Sequence, residues 1–295
     1  MPTRSSSETD PVFLSYTQAE LDAQYDQPRW NPNCESTVAR YTTLTEAARQ
    51  RLGRPEMHRY GDGPAEVLDL YRTDRPSAPI HVFVHGGAWR ALGRGDSGFA
   101  APAFVAAGAH FVALDFSLLP GPDLTDVLAE LQRAIAWLHA NAATFDGDPA
   151  RIHLSGHSSG AHMAACLLVA DWSHYAVPHD VLRSGLLVGG LYDLAPVRLS
   201  FRNDYVRLTP ETESQLSPQR HLNKLACPVA LFRAERESPE FARQTDEFAT
   251  TVAPAGHLVC HEIVAGRSHL EAALDLANPQ SRVGRMALQL MELGI

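Results

Sequence analysis

The sequence has little of what would commit it to a metal, a phosphate or a bilayer. Its four cysteines, Cys34, Cys166, Cys227 and Cys260, are scattered with no C-x-x-C pair, which predicts reduced structural thiols and a cytoplasmic setting. The longest apolar stretch, Ala100 to Leu114, is broken by Pro102, Gly108 and His110 and is too short to span a bilayer. The opening MPTRSSSETD holds no apolar core segment, so no secretory signal is expected. There is no basic stripe in a chain of net charge −9, which argues against nucleic acid as a partner. No H-E-x-x-H occurs, and His153, His157 and His162 have no carboxylate or cysteine at ligand spacing, so no metal is expected. No P-loop or G-x-G-x-x-G follows a strand pattern, and no cofactor is expected. Repeats and low-complexity linkers are absent too, so the 295 residues read as one domain.

What is there is 45% hydrophobic and 20% charged, enough for a sizeable core. Residues 1–12 are polar, with disorder expected at the start. From Thr17, TQAELDAQYD predicts a short helix with Thr17 and Glu20 as its capping pair. RWNPNC is a turn-rich break, and Cys34 to Leu52 predicts a second helix. Together they form an N-terminal helical extension over about residues 1–55. Glu56 to Arg72 turns at Asp62-Gly63, a hairpin signal. Beyond it, short apolar runs alternate with helical patterns. Strands are expected at Ile80–Val84, His110–Asp115, Ile152–Ser155, Gly185–Val188, Pro228–Ala234 and Leu258–Val264. Helices are expected near Phe99–Ala107, Leu124–Asn141 and Pro239–Val252, with helical material closing the chain near Gly294. This alternation predicts an α/β fold, a mostly parallel twisted sheet with helices on both faces. Leu194 to Ala226, carrying Pro196, Pro210 and Pro218, fits neither period and reads as a small lid-like insertion over the strand ends, where such sheets bind ligands.

The chemistry centres on Arg151 to Leu167, RIHLSGHSSGAHMAACL. A strand pattern, the turn Gly156-His157-Ser158-Ser159-Gly160 and a helical pattern give a nucleophile elbow, with Ser158 exposed on a strained turn. Gly156 and Gly160 are expected to keep the space around the serine open. The amide of Ser159, opening the helix, would face a tetrahedral oxyanion. A second set of donors is expected from His85-Gly86-Gly87-Ala88-Trp89. There, paired glycines let the backbone approach a carbonyl: Gly86 enables the turn, and the amides near Gly87 and Ala88 donate. His85 is expected to hold this loop by hydrogen bonds, and Trp89 to line the substrate pocket or else to pack beneath the loop. The base should come late, after the last strand, where His269 stands. The acid should follow the preceding strand, where Glu235 and Glu237 both qualify and Asp193 is a third choice.

These residues resemble a known family. HGGAW, GHSSGAH, GGLYDLAPVRLS with LSP after it, and ESPEFARQTDEF together look like the kynurenine formamidase (arylformamidase) group of α/β-hydrolases. The opening TQAELDAQYD is similar to that of its bacterial members, and the likeness runs from Tyr16 to the C-terminus. It implies an α/β-hydrolase fold without a metal, with Ser158 as nucleophile, His269 as base and Glu237 as acid. Three positions depart from the pattern: the family usually has aspartate at Glu237, often alanine at Ser159, and often an aromatic at Leu270.

The resemblance implies a serine hydrolase that cleaves a small acyl group through an acyl-enzyme, with an aryl formamide such as N-formyl-kynurenine, in tryptophan degradation, as preferred substrate. A carboxylesterase acting on short or aryl esters is the alternative, and a non-catalytic binding protein on the same fold is a second. The expected partner is a small-molecule substrate, with neither nucleic acid nor membrane. Oligomeric state stays open, a homodimer being the assembly carried forward.

Overall fold

A computed structural model describes residues 10–294; the expectation of disorder at the start falls mostly on residues 1–9, outside the described residues. Three helices come first, α1 (Gln18–Tyr25), α2 (Gln27–Trp30) and α3 (Cys34–Leu52). In α1 the Thr17 side chain accepts from the Glu20 amide while Glu20 accepts from the Thr17 amide, a capping box. The turn-rich break before Cys34 thus contains a one-turn helix, started by Pro28 in its first turn.

Eight strands follow: β1 (Glu56–Arg59), β2 (Val67–Tyr71), β3 (Ala78–Val84), β4 (His110–Leu114), β5 (Gly147–His157), β6 (Leu182–Val188), β7 (Val229–Arg236) and β8 (Leu258–Ser268). They make one sheet in the order β1-β2-β4-β3-β5-β6-β7-β8. β1, β2 and β4 are joined antiparallel and every later pairing is parallel. Between and after the strands lie α4 (Ala101–Ala106), α5 (Leu124–Asn141), α6 (Ser159–Leu168), α7 (Ala195–Leu199), α8 (Asn203–Val206), α9 (Pro210–Gln215), α10 (Pro239–Val252), α11 (His269–Leu274) and α12 (Arg282–Leu290). The helical stretch expected from Phe99 becomes regular only at Ala101, with Pro102 in the first turn, because proline lacks the N–H that an interior position would need.

Strand alternation puts a core on each face. Ile80, Val82 and Val84 of β3 face one side with α5, α6 and α10 residues such as Leu131, Met163 and Phe248. Phe83, between them, faces the other side with Phe104 of α4, Val283 of α12 and Tyr41 of α3. The strands of the parallel part are apolar on both faces for that reason. Residues 194–226 form α7, α8, α9 and two 3₁₀ turns, short pieces set by prolines at their starts. Gln18 of α1 donates to the Leu199 carbonyl and Asp22 accepts from the Phe201 amide, so the N-terminal extension and this insertion meet. No helix among the described residues is long and apolar enough to cross a membrane.

Candidate active site

β5 delivers Ser158 and α6 begins at the next residue. Ser158 sits at φ 56°, ψ −125°, a conformation that costs a non-glycine residue about 1–3 kcal/mol and persists only when surroundings enforce it. Its amide donates to the Val188 carbonyl on β6, and its carbonyl accepts from the His162 amide in α6. The flanking glycines serve a different neighbour from the one expected. A Cβ on Gly160 would lie 2.2 Å from the Val84 carbonyl oxygen, and one on Gly156 2.4 Å from that of Gly160. Gly160 lets α6 rest on the end of β3, and Gly156 lets the same helix turn come close to β5.

The loop expected to supply oxyanion donors follows β3. Gly87, Ala88 and Trp89 all have positive φ, at 103°, 53° and 60°, so three successive peptide units turn the same way. A Cβ on Gly86 would sit 3.2 Å from Ser158 Cβ, which puts this loop against the serine. Among the described residues the amides of Gly87 and Ala88 donate to no protein acceptor. That of Ser159 lies ahead of its helix's own hydrogen-bond ladder. The Trp89 amide is engaged: it donates to Ser159 Oγ at 3.2 Å. The serine found where alanine is common therefore ties the loop after β3 to the start of α6.

Trp89 does not line an open pocket. It is fully buried, its Nε1–H donates to His162 Nδ1 at 3.3 Å, and its ring meets His162 edge-on. The indole needs a partner when buried, and α6 supplies it, so the ring packs under the loop. His162 in turn donates from Nε2 to the Leu216 carbonyl of the insertion at 2.8 Å. Burial pushes the His162 ring down to about 4, so it stays neutral and can accept from Trp89 and donate to Leu216 at once. His85 Nδ1 donates to the Gly86 carbonyl at 2.8 Å and the ring stacks on Phe116, which stiffens the loop.

β7 and β8 bring the other two residues. Ser238 caps α10 by accepting from the Phe241 amide, with Pro239 in the first turn, and this fixes Glu237 at the corner between strand and helix. His269 opens α11 directly after β8, with the Ser268 amide donating to Glu271. His269 Nδ1 lies 3.0 Å from Glu237 Oε1, and both side chains are sealed from solvent. Its Nε2 has no protein partner among the described residues. Ser158 and His269 are not hydrogen-bonded to each other here, as is common before substrate binds. They are adjacent through their supports. Ser158 bonds to Val188, and a Cβ on the next residue, Gly189 (φ 56°), would fall 2.6 Å from Glu237 Oε1 and 2.9 Å from His269. Gly189 thus leaves the room that a glutamate requires.

The other candidates lie elsewhere. Glu235 Oε2 accepts from the Gly266 amide and is exposed, while Asp193 pairs with Arg220. His261 pairs with Asp246. Among the described residues no three His, Cys, Asp or Glu side chains converge as a metal-holding group. Several supports were invisible in the sequence because their partners are far along it. His157 Nε2 donates to the His269 carbonyl, 112 residues on, at 2.9 Å. Burial first, and the neighbouring His269 second, push the His157 ring down to about 3, so it serves as a neutral donor. Tyr41 Oη donates to the Leu270 carbonyl and Asn31 Oδ1 accepts from the Leu270 amide at 3.4 Å. Leu270, where an aromatic is usual, is thereby held through its backbone.

The profile of the family described as BD-FAE matches residues 68–174, which span β2 through the elbow and α6. The kynurenine formamidase of Danio rerio is 29% identical over 95% of this chain and 98% of its own length. Among solved structures, a protein from Silicibacter sp. tm1040 superposes with a TM-score of 0.79 at 24% identity, covering 89% of this chain and 97% of that one. An esterase from Pyrobaculum calidifontis gives 0.68 at 16%, over 88% and 93%.

Proposed function

We propose that this chain, an arylformamidase-like α/β-hydrolase, is a serine hydrolase that cleaves an aryl formamide through an acyl-enzyme. Ser158 Oγ attacks the formyl carbon while His269 Nε2 takes its proton. Glu237 holds Nδ1–H and stabilises the imidazolium. The amides of Gly87, Ala88 and Ser159 receive the oxyanion, and His269 then protonates the departing arylamine. Water, activated by the same histidine, releases formate. The observation that carries this reading is the pairing of His269 Nδ1 with Glu237 while Nε2 stays free, next to a serine held at φ 56°. Formamide is favoured over larger acyl groups because the loop closes on the serine through Gly86 and Trp89 fills the space beneath it. The likeness to a kynurenine formamidase over nearly the whole of both chains supports the aromatic leaving group. The four free cysteines support a reducing, cytoplasmic setting, which cell fractionation would test.

The test compares kcat/KM for N-formyl-kynurenine with its acetyl and butyryl counterparts and with short aryl esters. A steep fall from formyl to butyryl is expected, with activated short esters also turned over. Butyryl ester cleavage without formamide cleavage would replace this reading with a carboxylesterase. Ser158→Ala is expected to lose about 10³-fold or more in kcat, and a sulfonyl fluoride should label Ser158 alone. A variant with near-normal turnover removes the serine assignment.

A further inference from the structure

Two large aliphatic side chains lie open to solvent at one end of the sheet. Val259 is 47% exposed and Ile263 51% exposed. Both belong to β8, the outermost strand, which pairs with β7 on one side and with no strand on the other among the described residues. A free strand edge presents a row of unpaired N–H and C=O groups, and proteins normally blunt it with lysine, proline, shortness or a covering segment. β8 is 11 residues long and contains neither lysine nor proline. No turn or loop among the described residues hydrogen-bonds to the backbone of residues 259–265. The register irregularities of β8 fall near its two ends, so residues 260–264 run one for one beside residues 230–234 as a regular, open edge.

Strand alternation puts Val259, His261, Ile263 and Ala265 on one face of β8 and Cys260, Glu262 and Val264 on the other. Exposure follows this division: all four residues of the first face are exposed, and the three of the second are half-buried or buried. The charges on the strand are drawn off to the flanking helices. Glu262 accepts from Arg282 of α12 at 2.8 Å, and His261 lies 2.8 Å from Asp246 of α10. Between these two ion pairs the edge keeps no uncompensated charge to repel a second strand, and its exposed face is an apolar ledge on either side of His261.

We infer that β8 is the interface of a homodimer, in which two copies pair antiparallel about a two-fold axis at His261 and join their eight-stranded sheets into one. The residues of the edge select this register. With the axis at His261, Val259 of each copy faces Ile263 of the other, and Cys260 faces Glu262. Facing β-branched pairs stabilise an antiparallel contact, while like charges directly opposite destabilise it. An axis at Glu262 sets two carboxylates against each other, and an axis at Ile263 leaves Val259 opposite Arg267. Only the first register covers both exposed side chains with apolar partners. A closed two-fold contact also consumes the free edge of each copy, so assembly stops at two. One strand from each copy makes a small interface, and a dissociation constant of about micromolar order is expected. The inference stands apart from the hydrolase reading, because none of these residues belongs to the site.

The experiment is in two arms on the full chain. In the first, sedimentation velocity follows the wild type and Ile263→Lys over about 1–100 µM. The wild type is expected to pass from monomer to dimer. Ile263→Lys, a change at an exposed position, should weaken the dimer about tenfold or more with an unchanged circular dichroism spectrum. In the second, single cysteines at 261, 262 and 263 are compared in a Cys34→Ser, Cys260→Ser background, the remaining Cys166 and Cys227 being buried. On oxidation His261→Cys is expected to cross-link two copies fastest, because only residues facing each other at the axis come within disulfide reach. A wild type that stays monomeric throughout leaves the edge to some other partner and overturns the inference. A dimer that Ile263→Lys does not weaken overturns it too, as does faster cross-linking through position 262 or 263 than through 261.

Discussion

At the scale of single residues, Glu237 is the sharpest test of the site. Its Oε1 receives the His269 Nδ1–H from a fully enclosed position, so the carboxylate has one partner and no competing solvent. Glu237→Gln keeps the volume and an acceptor oxygen but removes the charge that would stabilise an imidazolium. Loss of about 10³- to 10⁴-fold in kcat is expected, with little change in KM. Glu235→Gln loses only a surface contact to the Gly266 amide and should stay within a few-fold of wild type. The two kcat values decide, and the reverse ranking would move the acid to Glu235. Composition and strand position alone left these two glutamates open. The family likeness chose Glu237, and the physical reason for the difference is the turn that begins α10. Ser238 and Pro239 start the helix, so Glu237 is swung inward and Glu235, still on β7, points to the surface.

At the scale of elements, what the sequence revealed divides by the range of the forces involved. α5 and α10 fall on the residues expected for them, because apolar periodicity and the caps Asp123 and Ser238 are local signals. β5 and β8 run several residues beyond their apolar cores, to His157 and Ser268, since neighbouring strands supply ladder hydrogen bonds that no local pattern encodes. Trp89 shows the same limit at a side chain: its partner His162 lies 73 residues away, and without that contact lining and packing could not be told apart. The extension is the clearest case. Its helices have weak amphipathic patterns, yet α3 carries Tyr41 to the Leu270 carbonyl, 229 residues distant, and stacks it on Phe99. Tyr41 thus holds the backbone of the residue that follows His269. Tyr41→Phe preserves the stack and removes the hydrogen bond, at a cost of about 1 kcal/mol in stability. If that bond orients the histidine, kcat should fall several-fold with KM unchanged. A lower Tm with unaltered kcat would assign the tyrosine to stability alone.

At the scale of the whole molecule, the interior holds an unusual number of histidines kept neutral. Burial pushes His153 and His162 down to about 4 and His157 to about 3, from 6.5. Each of the three has a hydrogen-bond partner that suits an uncharged ring: Ser184 for His153, the His269 carbonyl for His157, and the Leu216 carbonyl for His162. Since these folded values lie below the unfolded one, the unfolded chain binds protons that the folded chain refuses. Stability therefore rises with pH across this window and is fully present above about pH 6.5. It is lost as pH falls toward the folded values. Between pH 7 and pH 5 each such histidine withdraws about 2 kcal/mol, and together they approach the net stability of an ordinary domain, which is about 5–15 kcal/mol. The carboxylates with lowered values, Glu66, Glu213, Glu262 and Glu271, cannot produce this early loss, because carboxylates that remain ionised in the unfolded chain begin to matter only near pH 4.5 and below. The urea midpoint is thus expected to drop steeply between pH 7 and pH 5, with the loss spread over that whole interval. His153→Gln, able to keep a bond to Ser184, should flatten the slope by about one proton's share, leaving the other buried histidines, His81 and His110 among them, to carry the rest. A midpoint that holds constant down to pH 5 and falls only below pH 4.5 would mean that the carboxylates alone govern acid unfolding.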